Sequence, residues 1–396
     1  MKKIYRTLLI CTMLCFCVTT FTAMAGNRDR SGQAGAQHLL IDPWARSSGW
    51  SSCGVAETRG LESVFSNIAG LAFTKRTEIS FTRTQYLVGS GGGISINAFG
   101  IAQGLTYKNK ETGRKVDLGT IAISVFNMGF GDIYRTTEDQ PDGIGSAIFS
   151  PKLNYIGIHY AKSFNRFIHG GISFKIVNER ISNLRANGIA IDIGVQYLSG
   201  PYENFKIGVV LQNLGVPLSY KGDGISIRAK QEGTNYVASF EQRQANYELP
   251  ALLTIGVSYD FLIFSEQYQK MNKEDKKAEG LTRNDAVHRI TLAGSFTANA
   301  YSRDNFALGI EYGFMRYLQL RAGYLIQSFE KRKIEGKDKI FANQDSFYLG
   351  PSAGVTVGVP LTKKGKGNNQ QLLIDYAYRF TNFWKGSHYI GLKICL

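Results

Sequence analysis

A two-residue alternation of apolar with small or polar side chains recurs along most of this chain, and it restricts the fold to strands with two unlike faces. From 189 to 197, Ile189, Ile191, Ile193, Val195 and Tyr197 alternate with Ala190, Asp192, Gly194 and Gln196. The same period returns at 205–212, 253–260, 289–296, 306–314, 318–324 and 372–380. One face is apolar and often aromatic near its ends, while the other is small or charged. That is the arrangement of a lipid-facing wall with interfacial girdles around a polar interior. A soluble sandwich shows the same alternation with its apolar face turned inward, so the two ends of the chain carry the distinction.

At the start, Lys2, Lys3 and Arg6 precede an apolar run from residue 8 to about 20, followed by Ala23, Met24, Ala25 and Gly26. This is the order of a secretory signal peptide, residues 1–25, with cleavage expected after Ala25. Cys11, Cys15 and Cys17 fall in the part removed, and the large Leu14 and Phe16 before the last two argue against a lipoprotein. Cys53 and Cys395 remain, and an oxidising compartment permits them either to pair or to stay free. At the other end, His388, Ile390, Leu392, Ile394 and Leu396 alternate with Tyr389, Gly391, Lys393 and Cys395. Through Gly391, Ile394 and Leu396 this tail fits the barrel-insertion signal of outer-membrane proteins, with leucine where an aromatic residue is more usual.

After residue 25 no segment approaches the ~20 consecutive apolar residues of a membrane helix. A membrane-spanning reading therefore requires a closed barrel, because lipid offers backbone groups no hydrogen-bond partner. The pattern predicts an all-β transmembrane barrel of about 14 antiparallel strands over 77–396, at 77–87, 93–107, 116–131, 151–162, 167–178, 187–198, 204–213, 251–262, 288–298, 305–314, 317–328, 346–360, 371–381 and 387–396. The even count puts both termini in the periplasm. Residues 163–166, 199–203 and 315–316 become short periplasmic turns, and 132–150, 214–250 and 329–345 become surface loops. The connections 263–287 and 361–370 break the short-turn rule. The first three strands alternate poorly. Gly89 to Gly93 reads as a hairpin turn rather than a phosphate loop.

Residues 26–76 do not read as wall and form an N-terminal plug or hatch segment. Within it, 57–72 has a helical period, with Leu61, Val64, Phe65, Ile68 and Leu71 on one side. The segment also carries Leu40-Ile41-Asp42-Pro43-Trp44-Ala45-Arg46, then Gly49, Cys53-Gly54-Val55-Ala56 and Asn67-Ile68-Ala69-Gly70-Leu71-Ala72. In order and spacing this resembles the N-terminal signature of the PorV/PorQ family of Bacteroidetes outer-membrane proteins. Pro43, Ala45, Arg46, Gly49, Gly54, Asn67 and Gly70 are its plug-signature positions. The likeness continues at 152–164, 211–215 and Leu249-Pro250, while Ile68 stands where the family often has proline, and Trp50 to Cys53 replaces a smaller turn. The resemblance implies a barrel similar to the fatty-acid transporter FadL and a place in the type IX secretion system. The partners it implies are a translocon barrel, a sortase-like enzyme and cargo C-terminal domains.

The inward faces of the expected strands carry Lys175, Asp192, Lys206, Asp260, Arg289, Glu311, Arg321, Asp375 and Arg379, read as a salt-bridged interior or a ligand path. His159 and His169 fall on the lumenal faces of neighbouring strands and are close enough in sequence to approach one another. Their simplest role is hydrogen bonding inside the lumen. No HExxH, paired-cysteine or GxSxG pattern is present, so the sequence reads as non-enzymatic with no cofactor. The net charge of +15 would suit nucleic acid in the cytosol. In an exported barrel it instead suits lipopolysaccharide, met through basic loops such as 331–339, and outer-membrane lipid, with no nucleic acid involved. Two functions remain: a non-enzymatic secretion scaffold, and a FadL-like transporter of hydrophobic small molecules.

Overall fold

A computed structural model describes residues 26–89, 93–108, 115–143, 145–230, 233, 236–265, 283–328, 330–334, 337–341, 349–361, 370–381 and 384–396. The expected signal peptide, and most of the connections 263–287 and 361–370, lie outside the described residues. Fourteen long strands form the wall: β1 Thr77–Gln85, β2 Ser95–Lys108, β3 Lys115–Gly129, β4 Lys152–Ser163, β5 Ile168–Ile181, β6 Leu184–Ser199 and β7 Phe205–Gly215, followed by β8 Leu252–Ile263, β9 His288–Asn299, β10 Asn305–Phe314, β11 Leu318–Gln327, β12 Gly350–Pro360, β13 Gln371–Arg379 and β14 Ser387–Cys395. Each pairs antiparallel with its neighbours in sequence, and β14 pairs back onto β1 from Glu78↔Cys395 to Gln85↔His388. The barrel is therefore closed and leaves no edge for its backbone to satisfy in lipid.

Burial follows the alternation. Ile123, Ile156, Ile158, Ile176, Ile189 and Ile390 stand outward and about half exposed. The first three strands pair continuously, with one register shift between β2 and β3 at Leu105 and Thr106. Through the middle of the wall their inward residues are small and neutral, namely Ser80, Thr82, Ala98, Gly100, Ala102, Ala122 and Ser124, so the contrast between faces is weak there. They are small because part of the N-terminal segment lies directly against them. Leu61, Val64, Ile68 and Leu71 form one buried cluster with Trp44, Ala98, Ala102, Ala122 and Ala161.

Residues 26–76 run through the barrel from one rim to the other. At the rim of the long loops, Asn27 donates to the Asn299 carbonyl at 3.4 Å and Gly35 to that of Glu248 at 2.9 Å. At the opposite rim, Gly104 donates to the Arg76 carbonyl at 2.9 Å and Thr120 to that of Thr74 at 2.9 Å. The expectation that both termini share one side thus holds for the two ends of the wall, at the short-turn rim, and fails for Gly26, which lies beside Ser302 and Asp304 at the long-loop rim. The threaded segment adds one lumenal crossing that strand counting does not see.

The helix expected over 57–72 is also corrected. Only Ser63–Ser66 forms an α turn, followed by a 3-10 stretch Ile68–Phe73. Gly60, at φ +80°, precedes the turn, and Asn67, at φ −151° and ψ 107°, separates the two pieces. The Asn67 side chain accepts from the Ala69 amide at 3.1 Å, which caps the second piece.

Candidate functional site: the filled lumen

The segment meets the wall through a buried charge network. Glu57 bonds both Lys206 on β7 and Arg283 in the β8–β9 connection. Asp260 on β8 holds Lys206 at 2.6 Å, Arg283 Nε at 2.5 Å and the Thr291 hydroxyl at 2.7 Å. Burial alone would raise the Glu57 carboxyl, but Arg283 and then Lys206 outweigh it and hold it at about 2. A second node centres on Glu311 of β10, which gathers Arg321 at 2.6 Å, Arg46 at 3.4 Å and Arg289. Arg46 also reaches Glu62 at 3.9 Å. Burial dominates at Glu62 and raises its carboxyl, against Lys393 and Arg46. Nearer the short-turn rim, Glu78 pairs with Lys393 at 3.0 Å and accepts the Leu61 amide and the Thr74 hydroxyl, both at 2.9 Å.

All nine expected lumenal charges face inward, and they divide into groups. Lys206 and Asp260 join the Glu57 node, and Arg289, Glu311 and Arg321 form the Arg46 node. Lys175 and Asp192 pair at 2.5 Å where the β6–β7 register shifts, and Lys175 also reaches Asn213 Oδ1 at 3.3 Å. Asp375 accepts the Thr356 hydroxyl. Arg379 is buried beside Tyr389 and lines the cavity described below. Sequence reasoning missed Glu57, Glu62, Arg59 and Arg283, the partners supplied by the segment and by one connection. Glu62 stood in view on the polar side of 57–72 and Glu57 one turn before Leu61, but the partners of Glu57 are up to 226 residues away.

The signature residues sit at the tightest approaches. A side chain on Gly49 would meet the Gly354 Cα at 2.9 Å, and Ala45 packs against Gly391, Ala377 and Tyr389. Gly54 leaves room for the Trp50 ring, and Gly70 for the Thr58 carbonyl. Asn67 donates to the carbonyls of Val55 at 3.0 Å and Val195 at 3.1 Å. Pro43 leads into the Ala45–Ser48 turn, where Asp42 accepts the Trp44 amide and the Ser52 hydroxyl, both at 3.0 Å. Of the tail positions, Ile394 and Leu396 face outward, and Gly391 faces Ala45 and Thr82.

His159 is held by Ser124 at 2.8 Å and Ser173 at 2.6 Å, and His169 by Ser163 at 2.8 Å. Register sets His159 opposite Ser173 and Ser163 opposite His169. The two imidazoles are thus four residues apart along the ladder (163 − 159), or roughly 13 Å at the usual rise, and do not meet. Cys53 is buried against Gly309 and Cys395 lies on the last strand, and both thiols are free. Burial pushes the Cys53 thiol up. Among the described residues no cluster of His, Cys, Asp or Glu is suited to a metal.

Toward the long-loop rim the segment leaves a cavity of about 530 Å³. Leu39, Phe65, Met128, Phe130, Leu153 and Leu252 line it together with Thr297, Asn299, Asn305, Gln327 and Arg379. Its size falls in the usual range for small-molecule sites, roughly 300–1,000 Å³. The closed wall, the apolar outer band and the filled lumen define an integral outer-membrane β-barrel.

No family model matches the chain, and no curated protein matches it. Among solved structures it is similar to the TodX deltaS2S3 mutant monoaromatic hydrocarbon channel, at 12% identity and a TM-score of 0.47, over 88% of this chain and 96% of that one. The CymD monoaromatic hydrocarbon channel is similar at 14% and 0.46, over 90% and 97%. A Pseudomonas aeruginosa FadL homologue is similar at 9% and 0.42, over 88% and 95%. None of these three is a PorV or PorQ protein, and the PorV/PorQ resemblance finds no support in the comparisons.

Proposed function

We propose that this barrel admits a hydrophobic small molecule from the long-loop side into the 530 Å³ lumenal cavity, with the N-terminal segment as the stopper below it. The observation that carries this reading is the cavity's apolar lining, in which Leu39 of the segment packs in one cluster with Met128, Phe130 and Leu153, and to which Phe65 contributes. The reading rests on that lining rather than on the distant structural likenesses. Phe65→Arg places a charge there and is expected to weaken binding of a fluorescent naphthylamine probe by at least tenfold, read by titration of the purified protein. Unchanged probe affinity would remove the cavity as the site.

The second reading is a type IX secretion scaffold, supported by the signature residues Gly49, Gly54, Asn67 and Gly70 all lying where the segment is fitted most closely. A scaffold tolerates a permanently blocked lumen. Co-purification of a translocon barrel, a sortase-like enzyme or cargo C-terminal domains from mildly solubilised outer membranes supports it, whereas a lone barrel carrying a bound apolar molecule supports uptake.

A further inference from the structure

On the outer face, two rows of polar side chains cross the strands in register just below the long-loop rim. In the upper row Lys152 lies directly opposite Arg180, Arg180 opposite Arg185, and Arg185 opposite Lys221 of the short strand Tyr220–Lys221. All four are exposed, and among the described residues none has a side-chain hydrogen bond or an ion pair. The row two residues lower runs Asn97, Asn127, Asn154, Asn178 and Asn187, each opposite the next. Asn178 donates to Asn187 at 2.6 Å, and Asn127 bonds Asn154. Below them stand the half-exposed Ile156, Ile176 and Ile189 of the apolar band.

Like charges directly opposite on neighbouring strands, roughly 4.5–5.5 Å apart, destabilise a sheet. Four cations in succession are therefore a standing cost that an anion would relieve. Among the described residues no carboxylate forms an ion pair with the row, Asp132 and Asp223 included; Asp132 accepts the Ser150 hydroxyl at 2.5 Å. Glu179 points inward to Tyr220 and His38. Beside the row, a cleft of about 440 Å³ adds Arg135 with Ile148 and Phe149 to Lys152 and Arg180. With long loops on the cell surface, this level is the headgroup region of the outer leaflet.

We propose that the outer face of β2–β6 binds a phosphorylated glycolipid of the outer leaflet, with phosphate on the cation row, sugar hydroxyl and amide groups on the asparagine row, and acyl chains along the isoleucines beneath. Charge complementarity and the order of the three layers from rim to midplane select this occupant over a protein.

The test is native mass spectrometry of the full-length protein in detergent, titrated with bis-phosphorylated lipid A. Dephosphorylated lipid A with the same acyl chains and inorganic phosphate as competitor form the other arms. Arg180→Gln/Arg185→Gln is expected to weaken lipid A binding at least tenfold, and Lys162→Gln/Arg166→Gln at the opposite rim to leave it unchanged. Dephosphorylated lipid A is expected to bind the unmodified protein at least tenfold more weakly. Equal binding of the two lipids, full displacement by millimolar phosphate, or an unaffected double variant would overturn the proposal. Should the double variant fail to fold, the comparison of lipids on the unmodified protein still decides.

Discussion

Replacing Glu57 with Gln is expected to release the N-terminal segment from the wall and turn a closed barrel into a leaky one. The substitution leaves Lys206 and Arg283 buried with Asp260 as their one remaining carboxylate within the node. Breaking a buried pair by removing one partner costs about 3–5 kcal/mol, because an uncompensated charge stays in a low dielectric. Planar-bilayer recordings should show rare, small events for the unmodified protein and frequent pore-sized steps for the variant. Acid should mimic the change. Since the folded Glu57 sits at about 2, below the ordinary carboxylate value near 4.5, its contribution is complete above pH 4.5 and fades as pH falls toward 2. A variant as quiet as the parent, with the same acid response, would show that the node does not hold the segment.

Gly323→Val is expected to have a comparable effect by a steric route. The backbone of Trp50 lies where a Cβ on Gly323 would stand, and neither the β11 backbone nor the buried Trp50 has room to withdraw. Overpacking a filled interior costs typically 1–3 kcal/mol, and a side-chain carbon forced onto the Trp50 backbone belongs at the upper end, about 3. Gly129→Val is the control, because nothing lies within 4 Å of its added carbon. Thermal unfolding should separate the two clearly. Equal midpoints would mean that Trp50 does not rest on β11.

The wall was legible in the sequence because a barrel strand declares itself through a period of two, and strands such as Leu252–Ile263 and Gln371–Arg379 emerge close to their expected limits. The weak alternation of β1 to β3 reflected the neighbour inside, since Ala98, Gly100 and Ala122 are small to admit Leu61 and its cluster. The route of residues 26–76 was hidden, because it depends on contacts between positions hundreds of residues apart. One signal existed: Gly208, Gly309 and Gly323 occupy inward positions where the segment's backbone or Cys53 leaves no room for a side chain. The helix over 57–72 failed at Asn67, whose side chain bonds the carbonyls of Val55 and Val195, contacts that periodicity cannot register. The rows of asparagines and cations escaped notice because each strand contributes one residue, and only register aligns them.

The placement of the N-terminal segment inside the lumen underlies the cavity, the stopper and the charge network alike. Ser51 of the segment and Ser352 of β12 bring their hydroxyls within 2.8 Å of one another. Cysteines at both positions, S51C with S352C, should therefore cross-link under mild oxidation in intact outer membranes, in high yield and without disturbing the barrel. The account predicts a near-complete mobility shift that reductant reverses; a pair that stays reduced while the barrel remains folded would contradict it.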